Sequence, residues 1–144
     1  EGRIVYFDPI DDLAVIAVDD SGVAPLPLAP VQAVGDTGAV QGFPLGGPFT
    51  MGAAEIVSVG TAQIDDIYGS SSNPREIYAL AALVQPGNSG GPLLTTTGEV
   101  SGVIFARGVD VDDRGYAMTT TELLPVAALA PTLQAPVATG ACTT

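Results

Sequence analysis

The sequence contains no histidine and a single cysteine, Cys142. The first absence removes the commonest general base and the commonest metal ligand. The second rules out a disulfide closed within the chain and any zinc site built from several thiolates. Positive charge is scarce as well: four Lys and Arg face sixteen Asp and Glu, for a net charge of −12. A surface that acidic repels phosphate backbones and anionic headgroups, so nucleic-acid binding is excluded on charge. No apolar run approaches the roughly 18–20 residues that span a bilayer, and the start carries no signal-peptide pattern. The chain opens on Glu1-Gly2-Arg3 without a methionine and reads as a piece of something longer. Low lysine, one late cysteine and many Thr, Ser and Gly lean towards work outside the cytoplasm.

What is present fits one β-rich domain. Apolar residues make up 47% and charged residues 14% of 144, which supports a packed core and argues against disorder. Gly and Pro together supply 30 positions, so turns are many and long helices few. Gly2-Arg3-Ile4-Val5-Tyr6-Phe7 reads as a strand ending at the turn signal Asp8-Pro9. Asp12-Leu13-Ala14-Val15-Ile16-Ala17-Val18 is apolar on both faces, which predicts a strand buried on both sides, closed by the turn Asp19-Asp20-Ser21-Gly22. Residues 23–37, with Pro25, Pro27 and Pro30, read as an extended surface connector.

Strands resume at 39–43, followed by a tight loop at 44–48. A long strand is expected over 54–68, with Gly60 marking a bulge or bend, then a turn over 69–74 and a partner strand over 75–84. Residues 92–96 and 100–106 form another hairpin around Gly98-Glu99, and an acidic turn over 110–115 leads into 116–119. One helix is expected from Thr120 or Thr121, with a capping threonine, Glu122 in the first turn and an end before Pro131. Short strands joined by Gly and Pro turns predict an all-β sandwich or barrel.

One segment carries chemistry. In Gln85-Pro86-Gly87-Asn88-Ser89-Gly90-Gly91-Pro92-Leu93, a serine stands among three glycines within five residues. Glycine before the serine lets amide N–H groups turn inward, and glycine after it admits a substrate carbonyl. The amides of Gly87 and Ser89 would then face one point and stabilise a developing oxyanion. The plain alternative is a glycine-rich hairpin turn with an ordinary serine, which a bare G-x-S-x-G does not exclude.

The string Gly87-Asn88-Ser89-Gly90-Gly91-Pro92 resembles the nucleophile loop of trypsin-like serine proteases, and Asn88 resembles the bacterial HtrA-like branch. Asp8-Pro9-Ile10-Asp11-Asp12-Leu13-Ala14-Val15 is similar to the segment that supplies the triad aspartate there, which assigns that role to Asp12, 77 residues before Ser89. Asp11 is its rival, but neighbours on a strand face opposite ways. The stretches at 41–47, 101–105 and 115–119 follow the same template, so the resemblance runs from about residue 3 to residue 130. The short Asp-to-Ser spacing and terminal cysteine further resemble actinobacterial periplasmic proteases of the MarP type, which carry a membrane-embedded N-terminal region and a disulfide.

The resemblance implies a chymotrypsin-like double β-barrel. Residues 1–22 would be the last strands of the first barrel, 23–37 the connector, 38–119 the complete second barrel, and 120–144 a helix and tail. It implies a serine endopeptidase with Ser89 as nucleophile, Asp12 orienting a histidine, and an oxyanion loop of Gly87, Asn88 and Ser89. Leu83 would form the base of an apolar specificity pocket, and Thr119, Thr120 and Thr121 would line the bound peptide. The histidine would precede Asp12 by tens of residues, beyond the eleven present here, so it and most of the first barrel are expected in an N-terminal part of the same protease. Cys142 would pair with a cysteine in that part; a free thiol in a loose tail is the alternative. The other function considered is a catalytically inactive peptide-binding module. No cofactor or metal is implied: Asp110-Val111-Asp112-Asp113-Arg114-Gly115 lacks the spacing and closing glutamate of a calcium loop. Asp19-Asp20 and Asp65-Asp66 read as turn and strand-end acids.

Overall fold

The computed structural model describes residues 1–19 and 22–142. Among them the elements run β1 (Gly2–Asp8), β2 (Leu13–Val18), β3 (Thr37–Gly42), β4 (Thr50–Asp65), β5 (Ser72–Ala81), β6 (Pro92–Thr95), β7 (Val100–Arg107), β8 (Arg114–Thr119) and α1 (Thr120–Leu129). Strands β3 to β8 close into an antiparallel barrel in the order β3-β4-β5-β8-β7-β6, while β1 and β2 form a separate antiparallel pair. The all-β reading holds. Asp20 and Ser21 of the expected turn, and Thr143 and Thr144 of the tail, lie outside the described residues.

Alternation drives the closure. Val40, Ile56, Tyr78, Leu80, Leu93, Ile104 and Ala117 point inward and form one buried core. Closing the sheet on itself pairs edges that would otherwise stay open. Bending the strands round the barrel requires bulges, and these fall between Ile56 and Ser58, between Leu93 and Leu94, and between Ile104 and Ala106. Gly60 pairs regularly with Ile77, so the expected bulge there is displaced to Val57. The corner of the barrel, and not the glycine, decides where the long strand breaks register.

Three other expectations change. Strand β5 begins at Ser72, so Pro74 lies inside it, opposite Gln63. Strand β8 pairs with β5 only from Ile77 onward, leaving an open edge where a strand tolerates proline. The connector is tied to the barrel: Leu28 forms a parallel bridge with Val100, Ala29 is buried, and the Gln32 amide donates to the Tyr78 hydroxyl at 2.8 Å. Strand β2 is not buried on both sides. Leu13, Val15 and Ala17 are half-buried, whereas Ile16 and Val18 are 59% and 61% exposed, because the pair has a packed layer on one face alone.

The helix starts as expected, but its cap is Thr119, whose hydroxyl accepts from the Thr121 amide at 3.2 Å. Beyond a single turn of 3-10 helix at Ala130–Thr132, the tail crosses β1, with the Val137 amide donating to the Ile4 carbonyl. It then passes the β4–β5 turn, where the Tyr68 hydroxyl reaches the Ala141 carbonyl at 3.5 Å.

Candidate active site

The loop at 85–91 is held from both sides. Asn88 is buried; its amide donates to the Gln85 carbonyl, and its side-chain Oδ1 accepts from the Gln85 amide, both at 2.9 Å. The Gly90 amide bonds the Ile104 carbonyl, the Ile104 amide the Gly91 carbonyl, and the Gly91 amide the Asn88 carbonyl. On the β3 side, Phe43 and Leu45 donate to the carbonyls of Gly87 and Pro86.

Glycine is required at two of these positions for different reasons. Gly87 has φ +98, and a side chain there would collide with the Phe43 carbonyl. Gly91 has an ordinary φ but packs its α-carbon against the Gln41 carbonyl, leaving no room for a methyl group.

With these bonds assigned, the amides of Gly87 and Ser89 have no acceptor among the described residues, and the Ser89 hydroxyl is exposed without a partner. Two free amides flanking a free hydroxyl can receive an anionic oxygen beside the serine. Asn88, expected to share in the oxyanion loop, offers no amide to it; the Gln85 carbonyl has taken that donor. Its part is to hold the turn.

Asp12 sits in the turn before β2, and not on the strand, with φ +54. Asp8 builds this turn by accepting from the amides of Ile10 and Asp11 at 2.9 and 3.2 Å. Two bonds fasten it to the barrel's long hairpin, Ile67 amide to Pro9 carbonyl and Arg75 Nη1 to Asp11 carbonyl. Crowding by protein raises the Asp12 carboxyl above its ordinary range, although part of it stays open to solvent, and the Arg75 guanidinium opposes that rise. Asp12 and Ser89 line one cavity of about 590 Å³ between the β1–β2 pair and the barrel, with Leu13, Val15, Val103, Phe105 and Met118 among its walls. A second cavity of about 300 Å³ also reaches Ser89, walled by Gly42, Phe43, Phe49 and Pro92. A larger cavity, about 770 Å³, touches neither residue.

The structure removes three expected contacts. Leu83, just past the end of β5, is 59% exposed and lines neither cavity at Ser89, while its neighbours Ala82 and Val84 are buried. Thr119 and Thr120 are 0% exposed and cannot touch a peptide. Thr119 and Thr121 both donate to Glu76 Oε1 at 2.7 Å, while Glu122 Oε1 accepts from the Glu76 amide, so these threonines lock α1 onto β5. Strand β8 has β5 and β7 on its two sides and leaves no edge for a substrate there. The open edge belongs to β7: its pairing with β6 ends at Val103, and Phe105 continues along the cavity. Cys142 is free and exposed. Among the described residues no group of three or more His, Cys, Asp or Glu could hold a metal.

Sequence reading missed Arg75 and Phe105. Arg75 had a signal, being one of four cations and standing two residues ahead of the apolar run Ile77-Tyr78-Ala79-Leu80. Phe105 lies in the 101–105 stretch of the resemblance but had no role there, since only the barrel's curvature brings it to the cavity.

A six-stranded antiparallel barrel that presents a glycine-flanked serine beside a turn aspartate is the architecture of chymotrypsin-like peptidases. The trypsin-like peptidase domain family matches residues 1–103, and the chain belongs to that family. The serine protease Rv3671c of Mycobacterium tuberculosis is 38% identical over 146 residues, covering 99% of this chain and 36% of the relative. The putative serine protease HhoA of Synechocystis is 34% identical over 125 residues, covering 82% and 30%. The chain thus spans about a third of the length of these curated relatives. Among solved structures, the active form of the M. tuberculosis Rv3671c protease superposes with a TM-score of 0.94 at 35% identity, over 100% of this chain and 64% of that one. Its inactive form gives 0.77 at 34% identity, over 93% and 67%.

Proposed function

We propose that this chain supplies the nucleophile and the orienting aspartate of a serine endopeptidase. Ser89 Oγ attacks a peptide carbonyl carbon, and its proton passes to an imidazole whose other N–H is held by Asp12. The oxyanion is received by the Gly87 and Ser89 amides, and the imidazolium returns the proton to the departing amine. The histidine comes from sequence outside these residues, on the part of the protease that completes the first barrel against β1 and β2. The observation that carries this reading is the shared cavity of Asp12 and Ser89 beneath two amides with no acceptor. The chain as a whole superposes better on the active than on the inactive form of the M. tuberculosis relative, which fits this reading.

The substrate is an extended peptide laid along the open edge of β7, with an apolar side chain in the cavity walled by Val103, Phe105 and Met118. Cys142 pairs with a cysteine of the same outside segment, fastening the tail, and the protease works outside the cytoplasm, held to a membrane by sequence beyond this chain. Among the described residues no helix is long and apolar enough to cross one.

Fluorophosphonate labelling of the full-length protein, with mass spectrometry of the adduct, tests the reading. An adduct on Ser89 that disappears in Ser89→Ala, with the melting temperature moved by no more than a few degrees, is the expected result. A folded protein that takes no label refutes it and favours the inactive peptide-binding module.

A further inference from the structure

Arg75 is 1% exposed, yet its guanidinium has no carboxylate bonded to it; the one ion pair among the described residues is Arg3–Asp19. Its bonds go to main-chain carbonyls, Nη1 to Asp11 at 3.2 Å and Nη2 to Asp65 at 2.8 Å. Cζ stands 5.9 Å from the centre of the Phe105 ring, Met118 Sδ lies 4.0 Å from Nη1, and Nε has no partner. Burying a cation this way costs far more than burying a leucine or methionine of similar reach. Packing alone does not explain the residue.

Its position does. The fork touches three pieces: the turn that ends in Asp12, the end of β4, and the β7 wall of the cavity at Ser89. The carbonyl it grips belongs to the residue immediately before Asp12, whose φ of +54 is a conformation that non-glycine residues hold only under constraint. We infer that Arg75 is a positioning residue for the catalytic aspartate: it clamps the Asp11–Asp12 turn to the barrel and sets a fixed positive charge behind the Asp12 carboxylate. This role rests on the serine-peptidase reading.

A fixed cation beside the Asp12–imidazole couple disfavours the protonated imidazole. It also keeps the aspartate ionised despite the crowding around it. Glu76 follows Arg75 on its own strand, its Oε1 accepting from Thr119 and Thr121; the acids beside the two carbonyls that Arg75 grips are Asp8, Asp11 and Asp12 on the turn and Asp65 and Asp66 at the hairpin end. Strands β7 and β8 contribute no acid, and their own arginines, Arg107 and Arg114, line a separate cavity. Loss of the charge therefore raises the pKa of the imidazole that Asp12 orients, and the acid limb of kcat/KM moves to higher pH.

The experiment uses the full-length protein with Arg75→Met and Arg75→Lys, assayed on a peptide substrate across pH, alongside thermal unfolding and Ser89 labelling. Arg75→Met is expected to lower kcat about 10- to 100-fold with little change in KM and to move the acid limb up by about half to one pH unit. Arg75→Lys keeps the charge and loses the fork, so its kcat falls while its limb stays in place. If Arg75→Met does not fold, Arg75→Lys decides: undiminished kcat refutes the clamp, and a displaced limb refutes the charge. A folded Arg75→Met with the parent's kcat and pH profile refutes the role while leaving the peptidase reading intact. A parent protein without activity or label at Ser89 refutes that reading, and this role falls with it.

Discussion

Gly87→Ala separates backbone strain from collision in the nucleophile loop. Two costs arise at this position. An alanine at φ +98 pays about 1–2 kcal/mol for a left-handed conformation. Its methyl group would also fall inside the contact distance of the Phe43 carbonyl oxygen, 3.1 Å from that carbonyl's carbon and 3.2 Å from the Leu45 nitrogen. All three neighbours are main chain just past the end of β3, held by bonds to the Gly87 and Pro86 carbonyls, so the loop must shift, by roughly 1 Å. Misplacement on that scale at a reacting centre costs on the order of 100-fold in rate.

Gly98→Ala is the matched control: its φ is +85, nothing lies within 4 Å of the added carbon, and it sits in the β6–β7 turn away from Ser89. The control should lower the melting temperature by about 2–8 °C and leave the Ser89 labelling rate unchanged. Gly87→Ala should destabilise at least as much and slow labelling about 100-fold in the full-length protein. Equal labelling rates in the two variants would refute the claim that the contacts with Phe43 and Leu45 place the oxyanion amides.

Thr119→Val keeps the shape of a fully buried side chain and removes the helix cap and one bond to Glu76, so stability should fall by about 1–3 kcal/mol with KM unchanged; a raised KM would restore Thr119 to the substrate site. Tyr78→Phe orphans the Gln32 amide and should cost about 1–2 kcal/mol in chemical denaturation, with faster hydrogen exchange along residues 27–33; unchanged exchange would mean that the Leu28–Val100 bridge alone holds the connector. Hydrogen bonds from Ser70, Ser71 and Tyr68 hold Asp66 below the usual carboxylate range, and those from Thr119 and Thr121 lower Glu76. Folded-state pKa values below the unfolded ones give stability that is present above about pH 5 and lost as pH falls through the lowered values. Melting temperatures in Asp66→Asn should therefore fall less steeply between pH 5 and pH 3 than in the parent, and parallel curves would contradict the assignment.

Much of the molecule was legible from residue order alone. The Gly87 to Pro92 string, the strands that alternate apolar and polar, and the turns at Asp8-Pro9 and Gly98-Glu99 are local signals, since each depends on backbone preferences within a few residues. Strand alternation does not distinguish Asp11 from Asp12, because both lie in a turn built by Asp8 ahead of β2. Thr119 misled because a threonine at a strand end can face a peptide or cap the next helix, and the choice depends on Glu76, 43 residues away.

The sequence by itself determined the β-rich class, the acidic surface, the serine set among glycines and the lack of a histidine within these residues. Each follows from composition or from φ preferences that the chain carries wherever it lies. Tertiary structure alone decided that β3 to β8 close on themselves, that Asp12 shares a cavity with Ser89, and that the open edge beside it belongs to β7. It also put the buried Arg75 fork on the carbonyls of Asp11 and Asp65. These depend on contacts between residues dozens of positions apart, and barrel closure sets them by choosing which strands become neighbours and which side of each faces inward.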